Sequence, residues 1–176
     1  MALGGNRDWN LPSLQSVYAN SVSALTISHF RNAGPITNNK YYLDKIIIGT
    51  LRYTDTNFTR ISVLQGTTNN TNTFGTIAIR NFDPHDGVTK ITVGNYTTRN
   101  NCTITNLYLG NSPFPVSYNE GYGDNLARIS NIYVPVGMKQ AYIDNGTWVH
   151  DGNARTDFIE YDFDTDPDGI FSVLDE

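Results

Sequence analysis

The most constraining feature of this chain is a recurring interval between short apolar bursts. The bursts are Ala24–Ser28, Lys45–Ile48, Arg60–Leu64, Gly75–Ile79, Lys90–Val93, Thr105–Leu109 and Asn131–Val134. Several alternate apolar and polar residues, the pattern of a strand with one buried face. Between them lie clusters of Asn, Thr, Gly and Asp, such as residues 67–73, which favour turns. The bursts are centred at 27, 47, 62, 78, 92, 108 and 133, so the steps between them are 20, 15, 16, 14, 16 and 25. Two architectures give such spacing. In a β-solenoid each coil adds a parallel strand to a growing sheet. In an antiparallel β-sandwich each step is a strand and a turn. Sandwich strands usually recur every ~8–12 residues. Steps near 15 therefore favour a mainly β, short-strand solenoid, with steps shorter than the ~20–29 residues of ordinary leucine-rich repeats.

Composition agrees with a β-rich chain. Of 176 residues, 21 are Asn and 20 are Thr, while charged residues are only 16%. Thr suits strands and Asn suits turns. The surface is thus polar through amides and hydroxyls. The net charge of −5 and the absence of any Lys/Arg run argue against nucleic-acid binding. No apolar run approaches the ~20 residues of a membrane-spanning helix, so membrane insertion is not expected. The start, Met1 to Asp8, lacks the basic and apolar regions of a secretory signal. The single cysteine, Cys102, has no internal disulfide partner and reads as a small buried hydrophobe.

The flanks differ from the repeat region. Trp9, Leu11, Leu14, Val17, Tyr18 and Val22 recur at spacings of three and four. They predict one short amphipathic helix, or an extended arm, over residues 1–23. A single β-rich repeat domain is expected over 24–163, and an acidic tail over 164–176. Residues 136–143 predict a short helix, stopped by Asn145-Gly146.

The segment Ile129-Ser130-Asn131-Ile132-Tyr133-Val134-Pro135-Val136-Gly137-Met138-Lys139-Gln140-Ala141-Tyr142, followed by Trp148, resembles the C-terminal closing repeat of BspA-like leucine-rich-repeat proteins. The resemblance covers about residues 103–150, with Thr103–Gly110 as the preceding repeat and the cap at 129–150. It implies that Pro135 ends a strand, having no N–H to extend the ladder. It implies that Gly137 turns the chain into a short helix, and that Tyr142 and Trp148 cover the end of a repeat array. The family is mostly bacterial surface and adhesion proteins, so the resemblance implies binding or structure and not catalysis.

Asp164-Thr165-Asp166-Pro167-Asp168-Gly169 has the D-x-D-x-D-G spacing that opens a calcium loop. Asp164, Asp166 and Asp168 could converge on one Ca²⁺, with Asp175 closing the site. An acidic tail docked on a partner is the competing reading. His29, His85 and His150 show no H-x-x-H spacing, and there is no G-x-S-x-G. The loop carboxylates Asp83, Asp86, Glu120 and Asp124 show no pairing. Sequons at Asn57, Asn69, Asn95, Asn101 and Asn145 are what chance gives in an Asn/Thr-rich chain.

Tyr is large, rigid and amphipathic, and is enriched in binding surfaces. Tyr118 and Tyr122, in a Gly/Asn/Pro-rich loop, are the candidates for an exposed contact with sugar or protein, the alternative being that they fold back onto the core; Trp9 and Tyr18 are expected as contacts of the N-terminal arm. Together these features lead to the expectation of a non-enzymatic structural and binding protein without an obligatory cofactor. A phage virion component is the leading reading: a capsid decoration, head-fibre or tail-associated protein. Its partners would be further copies of itself or capsid and tail proteins. A bacterial cell-surface adhesin module and a carbohydrate-binding or carbohydrate-active domain are the alternatives.

Overall fold

The computed structural model describes residues 2–3, 16–23, 26–27, 40–53, 60–63, 71–94, 102–119, 128–150 and 153–176. In chain order these form β1 (Ala2–Leu3), β2 (Ser16–Val22), β3 (Thr26–Ile27), β4 (Lys40–Tyr53) and β5 (Arg60–Val63). Next come β6 (Thr71–Pro84), β7 (Lys90–Gly94), β8 (Cys102–Asn111), β9 (Ser117–Asn119) and β10 (Arg128–Pro135). A helix, α1 (Lys139–Asn145), is followed by β11 (Val149–His150), β12 (Asn153–Ala154), β13 (Ile159–Tyr161) and a 3₁₀ turn at Ser172–Leu174.

The protein is mainly β. Its centre is a six-stranded parallel sheet in the order β13-β10-β8-β6-β4-β2, accompanied by a three-stranded parallel sheet, β5-β7-β9. From β4 to β10 the chain visits these two sheets alternately. The short interval between bursts is therefore half of the true repeat. Ile46, Ile77 and Leu107 face one another in adjacent strands, and Leu107 in turn faces Ile132. The same full steps in residue number, 31, 30 and then 25, separate the side-chain pairs Arg52–Asp83, Asn81–Asn111 and Asn106–Asn131. The antiparallel alternative does not hold, because every strand pair in both larger sheets is parallel; the antiparallel pair β11-β12 lies outside them.

Side-chain alternation divides the six-stranded sheet into two apolar faces. Inward, Ile46, Ile48, Ile77, Ile79, Leu107, Leu109, Ile132 and Val134 are fully buried. They share one cluster with Ile91, Val93, Val116 and Tyr118 of the second sheet and its connections. Outward, Ile47, Ala78 and Tyr108 form a second cluster with Tyr161, Phe163 and Phe171. Burial on both faces is the usual condition of a parallel sheet.

The backbone approaches closely at glycines within the long strands. Register runs Ile48↔Ile79 and then Thr50↔Asn81, on either side of Gly49 and Arg80. A Cβ on Gly49 would lie 2.5 Å from the Asn20 carbonyl oxygen, and one on Gly110 would collide with the Arg80 carbonyl. Amide ladders occupy partly buried levels beside the apolar rows. Asn131 donates to Asn106 at 2.9 Å, Asn111 to Asn81 at 3.3 Å, and Asn81 to the Gly49 carbonyl at 3.4 Å.

At the flanks, the helical alternative is corrected and the acidic tail packs on the sheet. Residues 16–22 form strand β2, not a helix, and β2 lies in the main sheet with Val17 opposite Ile46 and Val22 opposite Leu51. The neighbouring strand supplies a hydrogen-bonding partner that an isolated amphipathic helix would not need, and Val17, Tyr18 and Val22 are good strand residues. The C-terminal residues are no free tail. They fold back across the outer face of the sheet, where Phe163 and Phe171 are fully buried and the 3₁₀ turn lies against β2 and β4.

Candidate functional site

Strand β10 leads the chain into helix α1. It stops at Pro135, yet Pro135 still faces Tyr161 in β13, so the sheet gains one more short strand beyond the proline. Proline lacks a donor but keeps its carbonyl acceptor. Gly137 adopts φ +82°, a conformation that favours glycine, and its N–H donates to Glu160 Oε1 at 2.7 Å. Helix α1 follows and ends at Gly146, whose φ of +66° and N–H to Ile143 carbonyl form a left-handed C-cap.

Tyr142 and Trp148 sit deep in this end, both within the main core cluster. Trp148 Nε1 donates to the Val116 carbonyl at 2.9 Å, and its ring packs against Tyr118 and Phe158. Tyr142 packs against Phe158 with ring centroids 5.5 Å apart. Its buried hydroxyl lies beside Val116 without a well-formed hydrogen bond, and burial raises its pKa far above the ordinary tyrosine value. Arg155 ties the same end together, donating to the Ile129 and Ser130 carbonyls and pairing with Asp157.

For Tyr118 the exposed contact is corrected and the core alternative holds. It lies on β9 and is 6% exposed, its ring centroid 5.0 Å from that of Trp148. The second sheet turns it inward, which no local loop signal reveals. Tyr122 and Trp9 lie outside the described residues. Tyr18 is 46% exposed on β2, the edge strand of the main sheet.

The aspartate motif is built into the C-terminal fold-back. Asp166, the one non-glycine residue at positive φ (47°) among the described residues, accepts the Tyr161 hydroxyl at 2.5 Å. It also accepts the backbone N–H groups of Ile170 and Phe171 at 2.9 and 2.8 Å. Asp164 accepts from Asn111 at 3.0 Å. Asp162 accepts the N–H groups of Thr165 and Asp164, which hold its carboxyl below the ordinary range. Asp168 and Asp175 are exposed on the same segment. Among the described residues, no group of three or more His, Cys, Asp or Glu side chains is placed to hold a metal ion. Within the motif, Asp166 satisfies backbone donors where the chain reverses.

The surface under the fold-back is aromatic. Tyr108 and Tyr133 stack with centroids 4.0 Å apart and planes 3° from parallel. Tyr161 meets Tyr108 edge-on at 5.2 Å. Burial, reinforced by its tyrosine neighbours, raises the Tyr108 hydroxyl pKa; burial and the Asp166 hydrogen bond do the same for Tyr161. Arg80 closes the arrangement by donating to the Phe163 and Asp164 carbonyls and lying 5.8 Å over the Phe171 ring. Sequence reading missed Arg80, Arg155 and the asparagine ladders. Asn81 and Asn111 lie one full repeat apart, so alignment at that length would have paired them. The two arginines reach across turns, and no sequence spacing encodes that.

No helix among the described residues is long and apolar enough to cross a membrane. No family model, curated protein or solved structure matches this chain.

Proposed function

We propose that this chain is a non-enzymatic structural and binding module, a β-solenoid of BspA-like leucine-rich-repeat type closed by a C-terminal cap. We place it in a phage particle, as a capsid decoration, head-fibre or tail-associated protein acting through protein–protein contacts. The observation that carries this reading is how its functional-looking side chains are used. Asp162, Asp166, Arg80 and Arg155 all bind the chain's own backbone, fixing turns and crossings of a rigid scaffold. The alternation between two parallel sheets supports the solenoid, and the Pro135–Trp148 geometry supports the cap.

The test is particle composition. Phage particles from the producing culture are banded by density, washed in high salt and digested for mass spectrometry. Peptides of this chain at a fixed ratio to the major capsid protein are expected. Recovery only in the host cell-surface fraction would replace the virion reading by an adhesin, and recovery only in free soluble protein would remove both.

A further inference from the structure

The edge of the main sheet suggests how the module meets its own kind. One side of β2 pairs with β4, and no strand lies on its other side among the described residues. An unpaired strand edge offers a row of N–H and C=O groups to another chain. Natural edges are commonly guarded by charges, proline or a bulge. Ser16–Val22 contains no charged residue and no proline, and its register with β4 runs from Ser16↔Lys45 to Val22↔Leu51. Tyr18 stands exposed at its middle, between Val17 and Ala19.

The opposite edge of the sheet differs. It is β13, three residues long, with Glu160 at its middle accepting the Gly137 N–H. A second copy meeting β2 through β13 would gain only a three-residue pairing. Meeting through its own β2, it gains seven residues on each side. Each chain carries a net charge of −5. Two copies therefore approach most easily through a neutral surface, and β2 is neutral along its length.

We infer that β2 is a self-association edge, through which two copies join antiparallel about a two-fold axis to make one continuous sheet. Centred on Ala19, this pairing sets Tyr18 of each copy across from Asn20 of the other, and Val17 across from Ser21. The interface is isologous, so it closes as a dimer and does not grow into a filament. This inference deepens the assembly reading and rests on it.

The experiment is light scattering of the full chain at about 100 μM, where a micromolar dimer is saturated. A species of about twice 19.6 kDa is expected. Tyr18→Lys/Asn20→Lys should return it to monomer with an unchanged circular dichroism spectrum. As a check independent of that variant's folding, Tyr18→Cys/Asn20→Cys should form covalent dimers under mild oxidation, while the parent chain should not. A monomeric parent, an oligomer indifferent to the lysines, or cysteines that fail to cross-link would each overturn the β2 dimer. Those outcomes leave the particle-composition result untouched, so the two readings fail separately.

Discussion

Arg80, in the middle of the main sheet, donates from Nε to the carbonyl of Phe163 at 3.0 Å, far along the chain. A second bond runs to the Asp164 carbonyl at 3.2 Å. One side chain thereby fixes the C-terminal segment across an aromatic face that would otherwise meet water. Arg80→Ala should cost about 1.5–3 kcal/mol, the range for hydrogen bonds from a charged donor. Arg80→Lys should recover only part of this, since an ammonium lacks the planar fork. Urea unfolding gives the magnitude. Increased dye binding to exposed apolar surface before global unfolding would locate the loss at the fold-back.

Gly110 tests the close backbone approach. Its Cβ would collide with the Arg80 carbonyl, part of a neighbouring strand that cannot move alone. Gly110→Ala should destabilise by about 1–3 kcal/mol or more, as overpacking does. Gly87→Ala makes the contrast. Nothing lies within 4 Å of its Cβ, and only its φ of +92° opposes substitution. A cost of about 1 kcal/mol is expected there. Equal costs at the two positions in chemical denaturation would contradict this division.

Beside helix α1, Trp148→Ala removes a buried ring and its bond to the Val116 carbonyl. A loss of about 3–5 kcal/mol is expected. Tyr142→Phe removes only a buried hydroxyl without a well-formed hydrogen bond. It should change stability by less than about 1 kcal/mol, in either direction. Thermal melts of the two variants side by side provide the check.

The aspartate motif should be indifferent to calcium. Three donors already occupy the Asp166 carboxylate, and a metal ion would have to displace them. Equal melting temperatures in excess Ca²⁺ and in chelator are expected. Asp166→Ala should destabilise under both conditions by about 1–3 kcal/mol, because it leaves part-buried donors unmet. A calcium-dependent rise in melting temperature, abolished in this variant, would restore the metal reading.

Acid and alkali should act through different residues. The Asp162 pKa is lowered by the Thr165 and Asp164 N–H groups. Its contribution is present above the ordinary carboxylate pKa of 3.8 and is lost as pH falls through the lowered folded value. Asp162→Asn should flatten this acid limb. For Tyr108, Tyr142 and Tyr161 the folded pKa is raised, chiefly by burial. Their contribution is intact below the ordinary value of 10.0 and is lost as pH rises beyond it. Melting temperature against pH gives the acid limb. Spectrophotometric tyrosine titration should show a fraction that ionises only on alkaline unfolding.

Local chemistry in the sequence was enough for the β class, the strands of the repeating bursts between residues 45 and 134, and the helix stop at Gly146. Alternation, turn residues and glycine act over a few residues, so they can be read from a line of letters. It was also enough for the short interval between bursts, but not for its meaning. Whether successive strands pair with each other or with the next but one depends on which backbone groups meet across a whole repeat, and only the folded chain decides that. The same holds for β2: spacings of three and four around Val17 and Val22 fit a helix until β4 offers a ladder. It holds most clearly for the C-terminal aspartates, whose spacing suits a metal equally well. Arg80, the Tyr108–Tyr133 stack and the backbone donors of residues 164–171 lie around them in space, and that surrounding makes Asp162 and Asp166 acceptors for backbone N–H groups where the chain reverses.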